Sequence, residues 1–277
     1  MKDPHATPFA TLTACAAPAD LAPMIAVANA ACDAARALVR TYFRTGVAAE
    51  TKGDESPVTA ADRAVEQGMI AIITKAFPDH GILGEEFGLR NAESPWRWIL
   101  DPIDGTRAFI TGRPQFGTLV SLTYAGTPVL GVIDQPLLEE RWVGQCGAAT
   151  AFSGGLGGTV GTRKCPSLAL AELSCTSPDM IAPDDGTGWG QLARSVRRVS
   201  WGGDCYAYGL LALGHIDIIA EGDLKIWDWA ALQPVVEGAG GSLTDWQGRP
   251  LDANSDGRVL ALGDPSLLPD AVAMLNP

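Results

Sequence analysis

The chain has 277 residues, 47% hydrophobic and 19% charged, which predicts a folded protein with a sizeable core and excludes a disordered one. Its formal net charge of −12 argues against nucleic acid or an anionic membrane as a partner. Three histidines and six cysteines without a CxxC pair disfavour a zinc site.

The N-terminal residues disfavour export, although residues 12–15 (LTAC) resemble a lipoprotein cleavage box. Residues 1–11 contain an acid and two prolines and lack the apolar segment of a secretory leader. No later run approaches the ~18 consecutive apolar residues of a membrane helix. We therefore expect a cytoplasmic protein that acts on a small molecule.

The first half begins with helical patterns and continues with β patterns. Apolar periodicity predicts helices at 21–45 and 59–76, and short apolar runs predict strands at 82–86 and 97–100. Between residues 117 and 152, four short runs separated by turn residues predict an antiparallel meander.

A glycine-rich segment, 154–161, is either the boundary between two predicted halves, 1–153 and 154–277, or a long hairpin loop. Alternating strands and helices in the second half favour a layered α/β or α+β fold. The elements predicted there are strands at 173–176, 216–220 and 242–245 and helices at 189–197, 205–213 and 226–237.

Residues 98–107 (WILDPIDGTR) carry the strongest functional signal. An apolar strand leads into Asp101 and Asp104, and carboxylate oxygens are ligands that hard divalent cations accept. Gly105 and Thr106 then open a helix, whose unpaired N–H groups suit a phosphate. The combination indicates metal-assisted transfer of a phosphoryl group to water.

Three other segments place acids at the ends of predicted elements, and each acid alone has an ordinary explanation. Asp62 could cap a helix, Glu85 could be a solvated loop acid, and Asp228 could complement a helix dipole. Asp101 is harder to explain in this way, because it directly follows Trp-Ile-Leu and is expected to be partly buried. A buried carboxylate needs a partner, and a cation is the simplest one.

Together these segments resemble the inositol monophosphatase superfamily. The matching stretches are 58–62 (VTAAD), 82–86 (ILGEE), 98–106 (WILDPIDGT) and 227–231 (WDWAA), in the family's order. The resemblance implies a layered αβαβα sandwich, with the active site between its sheets and helices, and a homodimer.

The resemblance also implies the roles of individual residues. The metal ligands would be Glu85, Asp101, the backbone carbonyl of Ile103, Asp104 and Asp228, holding two or three Mg²⁺ ions during turnover. Thr106, oriented by Asp62, and Glu85 would position a cation-activated water and accept its proton. The residues expected to contact the substrate are Gly105, Thr106, Arg107, Asp204, Glu221 and Asp228.

The haloacid dehalogenase phosphatases also carry two closely spaced aspartates. In their pattern, the second aspartate follows the nucleophilic one by two positions, whereas Asp104 follows Asp101 by three. Their later lysine at a strand end also has no counterpart here. The spacing therefore favours a mechanism without a phosphoenzyme.

The flanking residues bear on the substrate. Residues 106–119, 139–144 and 202–212 resemble the histidinol-phosphate phosphatase branch of the superfamily. Histidinol carries an ammonium and an imidazole, so its pocket requires acids, and Asp204 and Glu221 are the candidates. The alternatives are an inositol or broader sugar-phosphate phosphatase and, more remotely, a non-catalytic regulatory protein on the same scaffold.

Overall fold

The computed structural model describes residue 17 and residues 20–45, 49–51 and 57–277. Its helices are α1 (Ala22–Tyr42), α2 (Ala60–Ala76), α3 (Thr106–Ile110), α4 (Gly186–Ser195), α5 (Asp204–Ala212), α6 (Ile226–Trp229), α7 (Leu232–Gly238) and α8 (Leu268–Leu275). Its strands are β1 (Ala49–Thr51), β2 (Pro57–Thr59), β3 (Gly81–Gly84), β4 (Gly88–Arg90), β5 (Trp96–Asp104), β6 (Gly117–Tyr124), β7 (Thr127–Gln135), β8 (Glu140–Gln145), β9 (Ala151–Ser153), β10 (Glu172–Cys175), β11 (Arg198–Trp201), β12 (Ile218–Glu221), β13 (Ser242–Thr244) and β14 (Val259–Leu262).

The first large sheet has seven strands in the order β4-β3-β5-β6-β7-β8-β9. β3 runs parallel to β5, whereas the other neighbouring strands are antiparallel, so the predicted meander is present in β6 to β9. α1 and α2 pack on each other, and side chains such as Ala28 and Ile73 cover one face of the sheet.

The other face of this sheet is covered by α5, α6 and α7. Ile133 and Trp142 of the sheet share a core with Tyr208 of α5 and Val235 of α7. Glycine at position 131 permits the close approach, since a Cβ there would lie 2.0 Å from the carbonyl oxygen of Ala231.

The second large sheet has five strands in the order β11-β10-β12-β14-β13. Side chains alternate along a strand, so Ile219 faces the middle helices while its neighbour Ile218 faces the outer ones. α4 and α8 form that outer layer through residues such as Trp189 and Leu275. Helices and sheets therefore alternate in five layers, which confirms the αβαβα fold.

The two predicted halves share the middle layer. Residue 154 follows β9, the last strand of the first sheet, and the second sheet begins at β10. The core between the sheets nevertheless combines residues from both sides of this boundary. The division at 153/154 stays a prediction.

Among the described residues, α1 is the helix whose length and mean hydropathy would allow it to cross a membrane, a feature that the sequence analysis overlooked. In the fold, its apolar face packs into the first core. Its Arg36 also pairs with the buried carboxylate of Asp134 on β7, with Nε donating at 3.2 Å. Packing in the core accounts for the apolar composition of this helix.

Several predicted boundaries differ from the observed ones, and three of these differences have a clear structural reason. The strand predicted at 97–100 continues to Asp104 through a shift in register. The helix predicted at 226–237 is divided into two helices, α6 and α7. The reason is that Pro234 has no N–H to donate to the Ala230 carbonyl. This carbonyl accepts from the Ser121 hydroxyl instead (3.1 Å). The helix predicted at 189–197 stops at Ser195, since the next residues pair with β10 as β11.

Candidate active site

The end of β5 brings Asp101 and Asp104 to one site. Side chains three residues apart on a regular strand point to opposite faces, but the register shift between these two residues changes that relation. Asp101 is buried, and its Oδ1 accepts from the backbone N–H of Ile103 (3.1 Å). Asp104 Oδ2 accepts from the N–H of Cys205 in the first turn of α5 (2.6 Å). Each aspartate is thus fixed by a backbone donor.

Asp228 supplies the third carboxylate from the short helix α6. Its Oδ2 accepts from the N–H of Lys225 (2.6 Å), so it caps the helix, and it lies in the first turn, as its alternative explanation required. One carboxylate oxygen from each of Asp101, Asp104 and Asp228 lies within 4.8 Å of the others. Glu85 directly follows β3. Its N–H donates to the Leu100 carbonyl (3.3 Å) and so continues the pairing of β3 with β5.

The backbone beside this cluster turns sharply at Gly105. This residue has φ +87°, which favours glycine, and α3 begins at Thr106. The Thr106 hydroxyl donates to the carbonyl oxygen of Ile103 (3.1 Å), one of the predicted metal ligands. Asp62 is buried in the first turn of α2, and its charge acts on Asp101.

Two further acids, Asp204 and Glu221, were predicted from the resemblance to contact the substrate. Glu221, at the end of β12, is buried and accepts from the Thr176 N–H (2.7 Å) and the Tyr208 hydroxyl (2.8 Å). Asp204 does not cap α5 with its side chain but is the first residue of that helix, with φ +45°. Its carboxylate lies against Gly105, where a Cβ would come within 2.9 Å of the Asp204 Cγ.

A cavity of about 230 Å³ brings most of the predicted residues together. Asp62, Asp101 and Ile103 do not line this cavity and are buried. Arg107 is at the rim, with a side chain that is 69% exposed and 3.9 Å from Asp179. The predicted residues that line the cavity are Glu85, Asp104, Gly105, Thr106, Arg107, Asp204, Glu221 and Asp228.

Comparisons with known proteins identify the family of the chain. The model of the inositol monophosphatase family matches residues 20–274. The chain belongs to this family. It is 44% identical over 260 residues to the bifunctional phosphatase IMPL2, chloroplastic, of Arabidopsis thaliana, covering 91% of this chain and 74% of the relative.

Two other relatives are informative. A histidinol-phosphatase of Mycobacterium tuberculosis is 37% identical over 237 residues, covering 81% of this chain and 87% of the relative. An inositol monophosphatase structure from Zymomonas mobilis superposes with a TM-score of 0.84 at 44% identity, covering 94% of this chain and all of the other. The chain is therefore an inositol monophosphatase-family phosphatase.

The carboxylates of this phosphatase are held close together in a buried environment. Burial, and then the charges of Glu85 and Asp104, raise the pKa of Asp101. Burial, and then Asp204, raise the pKa of Asp104. Burial raises the pKa of Asp228 to about 7, although the Lys225 N–H opposes the shift. A cation would relieve this repulsion, and a donor set made only of oxygens fits Mg²⁺.

Sequence reasoning missed four residues that support the site. Thr176 and Tyr208 hold Glu221, the Cys205 N–H holds Asp104, and Glu66 holds the loop that carries Glu85. For Glu66, a signal was present in the sequence. It lies four residues after Asp62, on the apolar face of a predicted helix, where an acid is unusual.

Mg²⁺ should stabilise the folded phosphatase, and more strongly at higher pH. When folding raises the pKa of a carboxyl group, the folded protein loses stability as the pH rises through the folded-state pKa. For Asp228 this pKa is about 7. Mg²⁺ replaces the bound protons. At ~100 times its Kd it contributes about 2.7 kcal/mol, which should raise Tm by roughly 5–10 °C.

The measurement is a set of thermal scans at about pH 5.5 and about pH 8, with EDTA or with Mg²⁺. With EDTA we expect a lower Tm at the higher pH, and a larger increase on adding Mg²⁺ there. An ionic-strength control with choline chloride should leave Tm unchanged. Identical scans with EDTA and Mg²⁺ would contradict the assignment of the cluster.

Proposed function

We propose that this phosphatase hydrolyses L-histidinol phosphate to L-histidinol and inorganic phosphate, with Mg²⁺ as the cofactor. The observation that carries the proposal is a pair of further acids, the half-buried Asp204 and the buried Glu221, in the cavity that the acidic cluster borders. Relatives named histidinol-phosphatase support it.

The metal would be held by Glu85, Asp101, Asp104, Asp228 and the carbonyl oxygen of Ile103, with two or three ions taking part. Bound Mg²⁺ supplies positive charge that lowers the pKa of water and stabilises negative charge on phosphate oxygens. The close spacing of the three aspartate oxygens supports this assignment.

The phosphate would lie beside Gly105 and Thr106. Backbone N–H groups in the first turn of a helix have no intrahelical partner, so they can donate to phosphate oxygens. Glycine at position 105 permits the positive φ of the turn that leads into α3, and Arg107 adds a positive charge at the rim. These groups would orient phosphorus for attack by water.

Water is the nucleophile in this proposal. The Thr106 hydroxyl donates to Ile103, so its oxygen is oriented to accept a hydrogen from the water. Glu85 takes the proton as the water oxygen bonds to phosphorus. The bond between phosphorus and the ester oxygen then breaks, and the leaving oxygen takes up a proton. Asp62, buried nearby, would support Thr106 and this arrangement electrostatically.

The ammonium of histidinol would pair with Asp204 and Glu221. Burial, and then the charge of Glu221, raise the pKa of Asp204 to about 7, so a cation is favoured beside the pair. Thr176 and Tyr208 already hold the Glu221 carboxylate in place, which reduces the entropy lost when an amine binds.

The imidazole has room beyond Asp204. A second cavity of about 230 Å³ shares Arg107, Thr176 and Asp204 with the first. Trp201 forms part of its wall, and its indole is stacked on Trp189 with ring centroids 4.9 Å apart. A fixed aromatic surface suits a planar heteroaromatic ring.

The test is phosphate release by the wild-type protein from histidinol phosphate, inositol 1-phosphate and p-nitrophenyl phosphate, each with Mg²⁺ or EDTA. We expect kcat/KM to be at least ~10-fold higher for histidinol phosphate, and release to require Mg²⁺. A preference for inositol phosphate would favour the runner-up function, which the Zymomonas mobilis structure supports. No release from any ester would favour a non-catalytic protein.

The proposal also places the enzyme in the cytoplasm as a homodimer, acting on a small phosphate ester without nucleic acid or membrane. The high net negative charge supports the expectation that the enzyme binds neither nucleic acid nor membrane, because it would repel both nucleic acid and anionic lipids.

A further inference from the structure

Glu66 is a buried acid that the proposed chemistry does not use. It lies on α2, one turn after Asp62, and its side chain is inaccessible to solvent. Its Oε2 accepts from the N–H of Glu86 (2.9 Å) and its Oε1 from the N–H of Phe87 (3.0 Å). Both oxygens therefore bind the backbone of one short segment.

That segment is the turn between β3 and β4, which consists of residues 85–87. Glu85 is its first residue, and the Glu85 N–H is already fixed to Leu100 of β5. The Glu66 carboxylate holds the next two N–H groups, so the start of the turn is fixed from both sides. The backbone that carries Glu85 therefore has little freedom to move away from Asp101.

The end of β3 is shaped to receive this carboxylate. A Cβ at Gly84 would lie within 1.8 Å of Glu66 Oε1, so a larger residue there would displace the acid. The position also opposes ionisation, because burial is the main cause that raises the pKa of Glu66 to about 7, and the charges of Glu86 and Glu85 add to it. The two backbone hydrogen bonds favour the charged form.

We propose that Glu66 is a positioning residue that holds Glu85 in the geometry required for metal binding. The inference rests on the proposed metal site. A neutral amide can accept at one atom only, so Glu66→Gln leaves one of the two N–H groups without an acceptor. The turn should then loosen while the volume of the core stays the same.

The test compares Glu66→Gln with Glu140→Gln, which changes another buried carboxylate that accepts from the Tyr206 hydroxyl (2.8 Å). Thermal scans over a range of Mg²⁺ concentrations give the concentration at which Tm begins to rise, which follows the Kd because the stabilisation grows as RT ln(1 + [Mg²⁺]/Kd). We expect Glu66→Gln to raise this concentration about 10- to 100-fold, the usual effect of losing an outer partner of a metal ligand. Glu140→Gln should leave it unchanged.

A second variant perturbs the same turn through the end of β3, without changing Glu66 itself. Gly84→Ala should displace the Glu66 carboxylate and weaken Mg²⁺ binding to a similar extent, and combining it with Glu66→Gln should add little. At saturating Mg²⁺, kcat of Glu66→Gln should recover to within about threefold of wild type, because Glu66 does not touch the substrate.

The outcomes separate this inference from the proposed function. If Mg²⁺ leaves the wild-type Tm unchanged, the metal site itself is wrong. If wild type responds and Glu66→Gln responds at the same concentrations, only the positioning role is wrong. If neither Glu66→Gln nor Gly84→Ala folds, Glu66 has a general structural role, and the inference is likewise overturned.

Discussion

Replacing Asp104 with asparagine is expected to lower Mg²⁺-dependent phosphate release by at least ~100-fold while leaving the fold intact. The substitution keeps the shape of the side chain and retains an oxygen that can accept from the Cys205 N–H. It removes one negative charge from the three carboxylates whose oxygens lie within 4.8 Å. The measurement is kcat/KM over a range of Mg²⁺ concentrations.

The matched control is Asp270→Asn, the same change at an exposed position in the first turn of α8. It should retain wild-type activity. Circular dichroism and Tm with EDTA should show that Asp104→Asn is folded, and loss of repulsion should make it at least as stable as wild type without metal. Near wild-type turnover by Asp104→Asn at limiting Mg²⁺ would show that the metal site is misassigned.

Asp204→Asn and Glu221→Gln are each expected to lower kcat/KM for histidinol phosphate by roughly 10- to 150-fold. The reason is the loss of a charge-assisted hydrogen bond to the ammonium, which contributes on the order of 1.5–3 kcal/mol. Hydrolysis of p-nitrophenyl phosphate should change little, because this ester has no amine. The measurement is the ratio of the two kcat/KM values for each variant.

A suitable control is Glu237→Gln in α7, whose partly buried carboxylate accepts from Gln233 (3.0 Å) and does not line the cavity. The ratio for this variant should match that of wild type. Equal losses on both esters in Asp204→Asn and Glu221→Gln would indicate general damage to the site. That result would refute the assigned role of these acids in substrate choice.

The layers and most elements could be predicted, because their signals are local. Apolar periodicity located α1 and α2, and turn residues separated the strands of the meander. The strand before Asp101 was recognisable from its apolar residues, but its continuation to Asp104 depends on pairing with β6. The division of one predicted helix into α6 and α7, by contrast, follows from Pro234, a local signal that the helix prediction overlooked.

The candidate site was predicted only in part, for a similar reason. Its acids could be located from motifs, since each follows a recognisable strand or opens a helix. The backbone donors that hold these acids in place come from distant segments. The Cys205 N–H that donates to Asp104 is 101 residues away in the sequence. The Thr176 N–H that donates to Glu221 is 45 residues away. Such contacts arise when the two sheets pack around α5 to α7, and no local pattern encodes them.

In the proposed site, these acids hold a divalent cation beside a bound phosphate. A crystal structure with Mn²⁺ and inorganic phosphate would test it most directly, because Mn²⁺ can be located by its anomalous scattering. We expect an anomalous peak at about 2.0–2.3 Å from carboxylate oxygens of Asp101, Asp104 and Asp228, with phosphate next to Gly105 and Thr106. An empty cluster at saturating Mn²⁺, or phosphate bound elsewhere, would contradict the account.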